Sequence, residues 1–308
     1  MREEFDIVGK LYQDIVGPNS MDLSVEGLAS LKHPQIILSL PIRNILIQEY
    51  ENSIAVSSHK VKYQAHWNSV IKNPAAKVFT AAPLTKSKQV GRIVYATMIR
   101  NFLGMSSLGL ESDGKINCGF CDKVIESNSS HDLDCKKNGV IRRHDAIRDC
   151  LGSLCKAACI GVKIEQSGLS QKTRERPADI FIPNWKDGKD AWVDVAVINS
   201  SCASNLKYSS RTIDYALSKA QKIKEENYKI LVSENEAIFI PFILDVNGRL
   251  NQLGEEFLAR LASLGSSRHG PSANNLLSNS RLILSFKVLT IVAQQVNNAA
   301  LSRLSAEK

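Results

Sequence analysis

Two stretches decide the fold of this chain, Arg176-Pro177-Ala178-Asp179-Ile180-Phe181-Ile182 and Trp192-Val193-Asp194-Val195-Ala196-Val197. Both are rich in the β-branched and aromatic residues typical of strands. Each carries one acid, and fourteen residues separate Asp179 from Asp194. A carboxylate in a buried strand costs free energy unless something compensates its charge. A divalent cation shared by both acids would do so, and two strand carboxylates with a shared metal form the core of many nucleases.

The elements around these strands predict a mixed central sheet. A helix is expected over residues 140–160 and a short strand over 162–165, and Asp187-Gly188 suits a hairpin between the two acid-bearing strands. Apolar residues on both faces predict that the second acid-bearing strand is central. A further strand over residues 237–244 contains Pro241, which favours an edge position. The expected fold class is α/β (α+β), with a mixed sheet flanked by helices.

Four residues upstream have the spacing of a zinc site, C-x2-C-x9-H-x3-C, formed by Cys118, Cys121, His131 and Cys135. Four protein ligands leave no open position, so such a zinc would be structural, and it would supply folding energy to a unit too small for its own core. The alternative is four unrelated polar residues in a loop. Three other cysteines fall within the helix over residues 140–160 and are predicted to be small buried thiols, Cys150, Cys155 and Cys159.

Composition favours a polyanionic partner. The 308 residues carry a formal net charge of +8, and a basic protein is suited to nucleic acid. The first residues lack the apolar core of a signal peptide, and apolar runs of about eight residues are shorter than the roughly 20 needed to cross a bilayer. We therefore expect a soluble, intracellular protein with no membrane partner. Seven cysteines, an odd number, argue against a disulfide framework.

Basic residues at the start of the helix over residues 140–160 are candidates for phosphate contact, because a helix N-terminus already favours anions. Together with two arginines before the first acid-bearing strand, the predicted nucleic-acid-binding residues are Arg142, Arg143, His144, Arg174 and Arg176. The alternative is a solvated basic surface.

The helix expected over residues 212–229 places Ala216, Ala220 and Lys224 at four-residue steps. Small alanines would let this face lie against a sheet, with the lysine projecting from the same row. Lys224 could equally be an ordinary surface lysine. Glu165, in the strand before the acids, is a candidate third ligand or supporting acid, or alternatively a surface glutamate.

The order of these features resembles the C-terminal region of non-LTR retrotransposon polyproteins, in which a CCHC knuckle precedes a restriction-enzyme-like endonuclease of the PD-(D/E)xK type. The resemblance covers roughly residues 115–262 and rests on the knuckle, on Arg143-His144-Asp145, on Pro177-Ala178-Asp179 and on Asp194. It implies a restriction-endonuclease-like core, structural Zn²⁺, catalytic Mg²⁺ at Asp179 and Asp194, DNA as substrate with RNA as a further partner, no small-molecule substrate, and a nuclear location.

One position departs from the family pattern. The usual lysine two residues after the second acid is replaced by Ala196. Some family members supply the lysine from the following helix, which makes Lys224 the first candidate here and Lys222 the second. No Y-x-D-D polymerase signature is present, so reverse transcription is not expected.

The expected organisation has four parts: a mainly helical region 1–113, a CCHC knuckle 114–139, a nuclease-like domain 140–262, and a linker with a C-terminal helix 263–308. The predicted function is Mg²⁺-dependent hydrolysis of DNA phosphodiesters. One alternative is a catalytically inactive, zinc-containing nucleic-acid-binding protein, favoured by Ala196. Another is a structural or protein-interaction domain in which both acids are simply satisfied within the fold.

Overall fold

A computed structural model describes residues 44, 47–57, 59–80, 89–104, 115–121, 123–126, 130–167 and 178–306. The chain divides into two compact units, Met1–Lys60 and Val61–Lys308. In the first unit, residues 47–56 are helical. Residues 1–43 of the region 1–113, which is expected to be mainly helical, lie outside the described residues. All sites discussed below belong to the second unit, as do all elements apart from Lys60, the first residue of one helix.

The sheet of the second unit has four strands in the order β3-β4-β5-β6, comprising Lys163–Ile164, Ile180–Lys186, Lys189–Ile198 and Ile238–Asp245. The first three strands are antiparallel neighbours, whereas β5 and β6 are parallel. The predicted mixed sheet is therefore confirmed. A separate antiparallel pair, β1 and β2, spans Lys115–Asn117 and Val124–Glu126.

Eight α-helices are described around these strands in the second unit. In chain order they are α1 Lys60–Val70, α2 Arg92–Phe102, α3 His131–Asp134, α4 Val140–Ala157, α5 Leu206–Ser209, α6 Tyr215–Glu234, α7 Gln252–His269 and α8 Ala273–Ala306. A 3₁₀ helix at Pro74–Phe79 lies between α1 and α2. Helices α6 and α7 pack against β6, and α4 packs against β5. The sheet is thus flanked by helices, as the hydrophobic patterns predicted.

The hairpin between β4 and β5 turns at Asp187-Gly188, as the sequence predicted. Only Asp187 and Gly188 connect the strands, and both have positive φ (54° and 78°), as a two-residue hairpin turn requires. The pairing shifts register between Ile182 and Lys186. Pro183, which cannot donate a ladder hydrogen bond, lies within this irregular segment. Strand β4 therefore continues through Pro183 and Asn184 to Lys186.

Strand β5 is central and buried on both sides. Val193 and Val195 on one side belong to the main hydrophobic core. Trp192 and Asp194 on the other side are also buried. Strand β6, which contains Pro241, is the last strand of the described sheet. Both positions agree with the prediction.

The C-terminal region differs from the linker expected at residues 263–275. Helix α7 continues to His269, and Gly270 with φ +84° ends it in the left-handed conformation that glycine adopts without strain. Gly265 lies inside α7, where an added Cβ would be 3.3 Å from Ala158. Close packing thus explains a small residue that resembled a loop signal.

Helix α8 is part of the core rather than an appendage. Its side chains in the main hydrophobic core include Leu284, Val288, Leu289, Val292 and Ala293. By length and composition alone this helix could cross a membrane, since its most apolar window has a mean hydropathy of 1.4. A core helix of a soluble domain passes the same test, and 39% of that window is buried inside the fold.

Candidate functional site

The fold brings Cys118, Cys121, His131 and Cys135 together. One potential ligand atom from each lies within 4.8 Å of all the others. The Sγ atoms of Cys118 and Cys135 are 3.8 Å apart, and Cys121 Sγ is 3.3 Å from His131 Nε2. Zn–S bonds of about 2.3 Å in a tetrahedron place sulfurs about 3.8 Å apart. The cluster could therefore hold a metal ion, and its donor set fits zinc.

Local backbone contacts form this cluster. The N–H of Cys118 donates to the Lys123 carbonyl (2.9 Å), which closes the turn carrying the first two cysteines. The short helix α3 places His131 and Cys135 one turn apart, with the Cys135 N–H bonded to the His131 carbonyl (2.7 Å). Cys118 and Cys135 are buried with Ile125. Contacts between residues that are near in sequence therefore bring the four side chains of the cluster together.

Helix α8 covers one side of the cluster. The Ser302 hydroxyl donates to the Gly119 carbonyl (2.6 Å), and Arg303 pairs with Asp132. An added Cβ on Gly119 would lie 2.7 Å from Ser302 Oγ and 2.9 Å from the Arg303 backbone nitrogen. Gly119 thus permits close approach of α8.

The thiols of the cluster differ in their readiness to ionise. The Lys123 N–H and His131 hydrogen-bond Cys121 and lower its pKa to about 7. Burial raises the pKa of Cys135 to about 11. Metal binding requires thiolates, so a bound cation would have to displace the Cys135 proton in particular.

The two strand acids meet at the junction of β4 and β5. Asp179 immediately precedes β4 and Asp194 lies within β5. The Asp179 N–H donates to the Val193 carbonyl (3.0 Å), and the Val195 N–H donates to Asp179 Oδ2 (2.7 Å). The Asp179 and Asp194 carboxyl groups lie close enough for each to influence the ionisation of the other. Two acids fifteen positions apart in sequence are thereby brought close together.

The pKa values of these two carboxyl groups are shifted in opposite directions. Burial disfavours ionisation of Asp179, but hydrogen bonds from His144 and the Val195 N–H outweigh it and lower the pKa of Asp179. Burial raises the pKa of Asp194, and the nearby Asp179 charge adds to this, whereas Lys224 opposes it. An adjacent pair of largely shielded acids with pKa values displaced in opposite directions is typical of functional sites.

Lys224 reaches Asp194 from α6. The buried residue Ala216 lies two turns earlier on that helix, and Lys224 Nζ forms an ion pair with Asp194 Oδ2. Lys222, the other candidate, is exposed. The structure therefore places a lysine at the second acid although Ala196 occupies the family's usual lysine position.

His144 lies at the acids rather than on an open basic surface. Its Nε2 is 3.1 Å from Asp179 Oδ2, and its Nδ1 is 3.3 Å from Asp145 Oδ1. Hydrogen bonding to Asp179 is the largest cause that raises the pKa of His144. The sequence indicated His144 only as a phosphate contact. Its position in Arg143-His144-Asp145, at the start of a helix, gave no sign of its distant partner.

The carboxylate of Glu165 faces Arg148, with which it forms an ion pair. Arg148 also contacts Asp145 (3.0 Å) and Asp149 (2.9 Å). The sequence predicted no role for Arg148. Its i, i+3 spacing from Asp145 on a helix is nevertheless a signal for such an ion pair. The structure thus brings Glu165 to Arg148, and Glu165 meets Asp179 through its backbone N–H (2.8 Å).

The predicted nucleic-acid-binding arginines are in different environments. Arg143 is 2% exposed, and its guanidinium donates to the Leu133 carbonyl, Gln295 Oε1 and the Val197 carbonyl at 3.0–3.4 Å. It therefore supports the fold rather than facing a ligand. Arg142 is exposed and lines a cavity of about 190 Å³ with Lys137. Arg174 and Arg176 lie outside the described residues.

Comparison with known proteins adds no further constraint, because no protein-family model matches this chain and no curated protein matches it either.

Proposed function

We propose that this protein is a metal-dependent DNA endonuclease of the restriction-enzyme-like type, related to the nucleases of non-LTR retroelements. The position of Asp179 beside Asp194, together with the ion pair between Asp194 and Lys224, carries the proposal. Their order along the chain, with a helix and a strand before the two acids and a helix with the lysine after them, supports a restriction-endonuclease-like core.

Each residue has a role in phosphodiester hydrolysis. Asp179 and Asp194 would hold Mg²⁺ through carboxylate oxygens, the ligand type that this ion prefers. When bound, such an ion polarises the phosphate and lowers the pKa of its water. Lys224 would orient the attacking water or stabilise negative charge that develops on the phosphate. The side chains of Asp179 and Asp194 are only 18% and 11% exposed, which strengthens these charge interactions.

Zinc at Cys118, Cys121, His131 and Cys135 is the second part of the proposal. The four ligand atoms supply a complete shell, so the ion would stabilise structure and leave no position for substrate. The knuckle would then hold its own short elements and the end of α8 in place. DNA is the proposed partner, with RNA as a further one, in an intracellular and nuclear setting.

A second candidate function is binding of nucleic acid without cleavage. Each acid already has a partner that can carry positive charge, His144 for Asp179 and Lys224 for Asp194. The position two residues after Asp194, where such nucleases usually have a lysine, is occupied by the uncharged Ala196. A protein that has lost its metal could retain this arrangement as an ordinary buried ion-pair network. An assay of plasmid cleavage and DNA binding separates the two functions.

The first prediction concerns cleavage of plasmid DNA. Zinc-loaded wild-type protein is expected to nick supercoiled plasmid with Mg²⁺ or Mn²⁺, and EDTA should stop the reaction. Asp179→Ala and Asp194→Asn should reduce nicking to the metal-free level, since each removes a proposed ligand. Lys224→Ala should slow it on the order of 100-fold or more, the usual effect of losing one charge-stabilising group.

Lys222→Ala is the matched control, because Lys222 is exposed on the same helix and its loss should leave nicking unchanged. Cleavage that survives Asp179→Ala would indicate a contaminating nuclease. Absence of nicking by folded wild-type protein that still shifts DNA in a gel would favour the non-catalytic candidate. Absence of both activities would favour a structural or protein-interaction domain.

A further inference from the structure

Asp179 is enclosed by a ring of contacts from α4 and the turn after β3. His144 Nε2 lies 3.1 Å from Asp179 Oδ2, and its Nδ1 lies 3.3 Å from Asp145 Oδ1. Arg148 contacts Asp145 (3.0 Å) and pairs with Glu165. The Glu165 N–H then donates to the Asp179 carbonyl (2.8 Å), which closes the ring.

The ring fixes both the backbone and the side chain of Asp179. Oδ2 interacts with two groups, the Val195 N–H (2.7 Å) and His144 Nε2 (3.1 Å). A third, bulky partner at this oxygen would disturb both contacts. A cation would therefore bind Asp179 through Oδ1, in an orientation that His144 and Val195 set together.

His144 is itself held from both sides. Its two ring nitrogens face protein carboxylates, so the imidazole is engaged within the fold instead of being presented to a phosphate. Arg148, with a side chain only 11% exposed, braces Asp145 behind it. Glu165 adopts a φ of +48°, a conformation that non-glycine residues keep only where surrounding contacts enforce it.

We propose that His144 is a positioning residue, which orients the Asp179 carboxylate for a divalent cation through the ring formed with Asp145, Arg148 and Glu165. This inference rests on the proposed function, because it assumes that Asp179 binds a cation. It replaces direct contact with nucleic acid as the role of His144. Partners that orient metal ligands typically change metal affinity about 10–100-fold when removed.

Mn²⁺ binding to zinc-loaded protein, measured by calorimetry or by the EPR signal of free Mn²⁺, tests this role without requiring cleavage. His144→Ala should weaken Mn²⁺ binding by about 10-fold or more. His144→Gln should restore most of the affinity, since its terminal amide can donate to Asp179 from nearly the same place. Asp145→Ala, at a half-exposed position, should weaken binding in the same direction. Ser153→Ala, exposed on α4, should have no effect.

Circular dichroism and thermal unfolding of each variant establish that it is folded. If the His144→Ala variant does not fold, the Mn²⁺ affinity of Asp145→Ala tests the positioning role instead. Folded His144→Ala or Asp145→Ala protein with wild-type Mn²⁺ affinity would overturn the positioning role while leaving the endonuclease proposal intact. Equal weakening by His144→Ala and His144→Gln would also overturn it. Wild-type protein that binds no Mn²⁺ would overturn both proposals.

Discussion

At the residue scale, the free energy of this fold depends on how Asp194 is paired. Its side chain is only 11% exposed and that of Lys224 is 24% exposed. Burial raises the pKa of Asp194, and the Lys224 charge is the main influence that opposes this rise. Removal of the lysine would leave a carboxylate with little water around it, which is more costly than loss of a surface ion pair.

We predict that Lys224→Met destabilises the protein by about 1–3 kcal/mol near neutral pH. Loss of the ammonium raises the pKa of Asp194 further. An acid whose pKa is higher in the folded state costs stability when ionised, and this cost disappears as the pH falls through that pKa. The loss should therefore shrink in acid. Urea unfolding at about pH 7 and about pH 4.5 measures it.

Lys222→Met is the control for this experiment, and it should change stability little at either pH because Lys222 is exposed. An equal loss for Lys224→Met at both pH values would contradict the pairing with Asp194 and indicate lost packing of the lysine stem instead.

At the element scale, α8 determines whether the other elements form one core. The helix packs against α2, α4 and α7, and its C-terminal end contacts the cysteine cluster. The sequence suggested a helix joined by a linker, since amphipathic spacing identifies a helix but not the surface it covers. Val288 is fully buried in the main core, whereas Leu301 on the same helix is 64% exposed.

We predict that Val288→Asp destabilises the protein by more than about 3 kcal/mol, because it buries an unpaired carboxylate. Leu301→Asp should change stability by less than about 0.5 kcal/mol, as exposed substitutions usually do. Thermal unfolding of the two purified variants compares these effects. A helix that crosses a membrane would make both substitutions unfavourable, and equal effects would therefore argue against its place in a soluble core.

At the scale of the whole molecule, the proposed zinc site and the proposed nuclease site are mechanically connected. Helix α3 carries His131, and its Asp134 accepts a hydrogen bond from Asn199 (3.0 Å), just after β5. Arg143 links the same region to the Val197 carbonyl. In addition, Arg303 of α8 pairs with Asp132. Metal loss would therefore disturb more than the knuckle.

We predict that chelation exposes three thiols. In zinc-loaded protein, alkylation at about pH 8 should modify Cys202 and Cys159, which is exposed and not buried as predicted. Burial raises the pKa of Cys150 to about 11 and that of Cys155 to about 12, so both should react slowly. A chelator should add the three cluster cysteines, Cys118, Cys121 and Cys135. Mass spectrometry counts the modified residues.

Denatured protein, in which all seven cysteines should react, calibrates the count. If the chelator adds no reactive thiols, the cluster holds no metal in the isolated protein. Restoration of the original pattern by Zn²⁺ but not by Mg²⁺ would identify the metal class.

Local sequence determined much of this protein. Alternation and β-branched residues identified β4, β5 and β6, helical spacing identified α4 and α6, and ligand spacing identified the cysteine cluster, because each pattern is set by contacts between near neighbours. Tertiary structure alone decided which cation meets each acid. His144 and Asp179 are 35 positions apart, and Lys224 and Asp194 are 30 apart. Arg142 and Arg143 look equivalent in sequence, yet only Arg143 is buried. Such choices depend on how helices pack on the sheet, and no local pattern of residues encodes that packing.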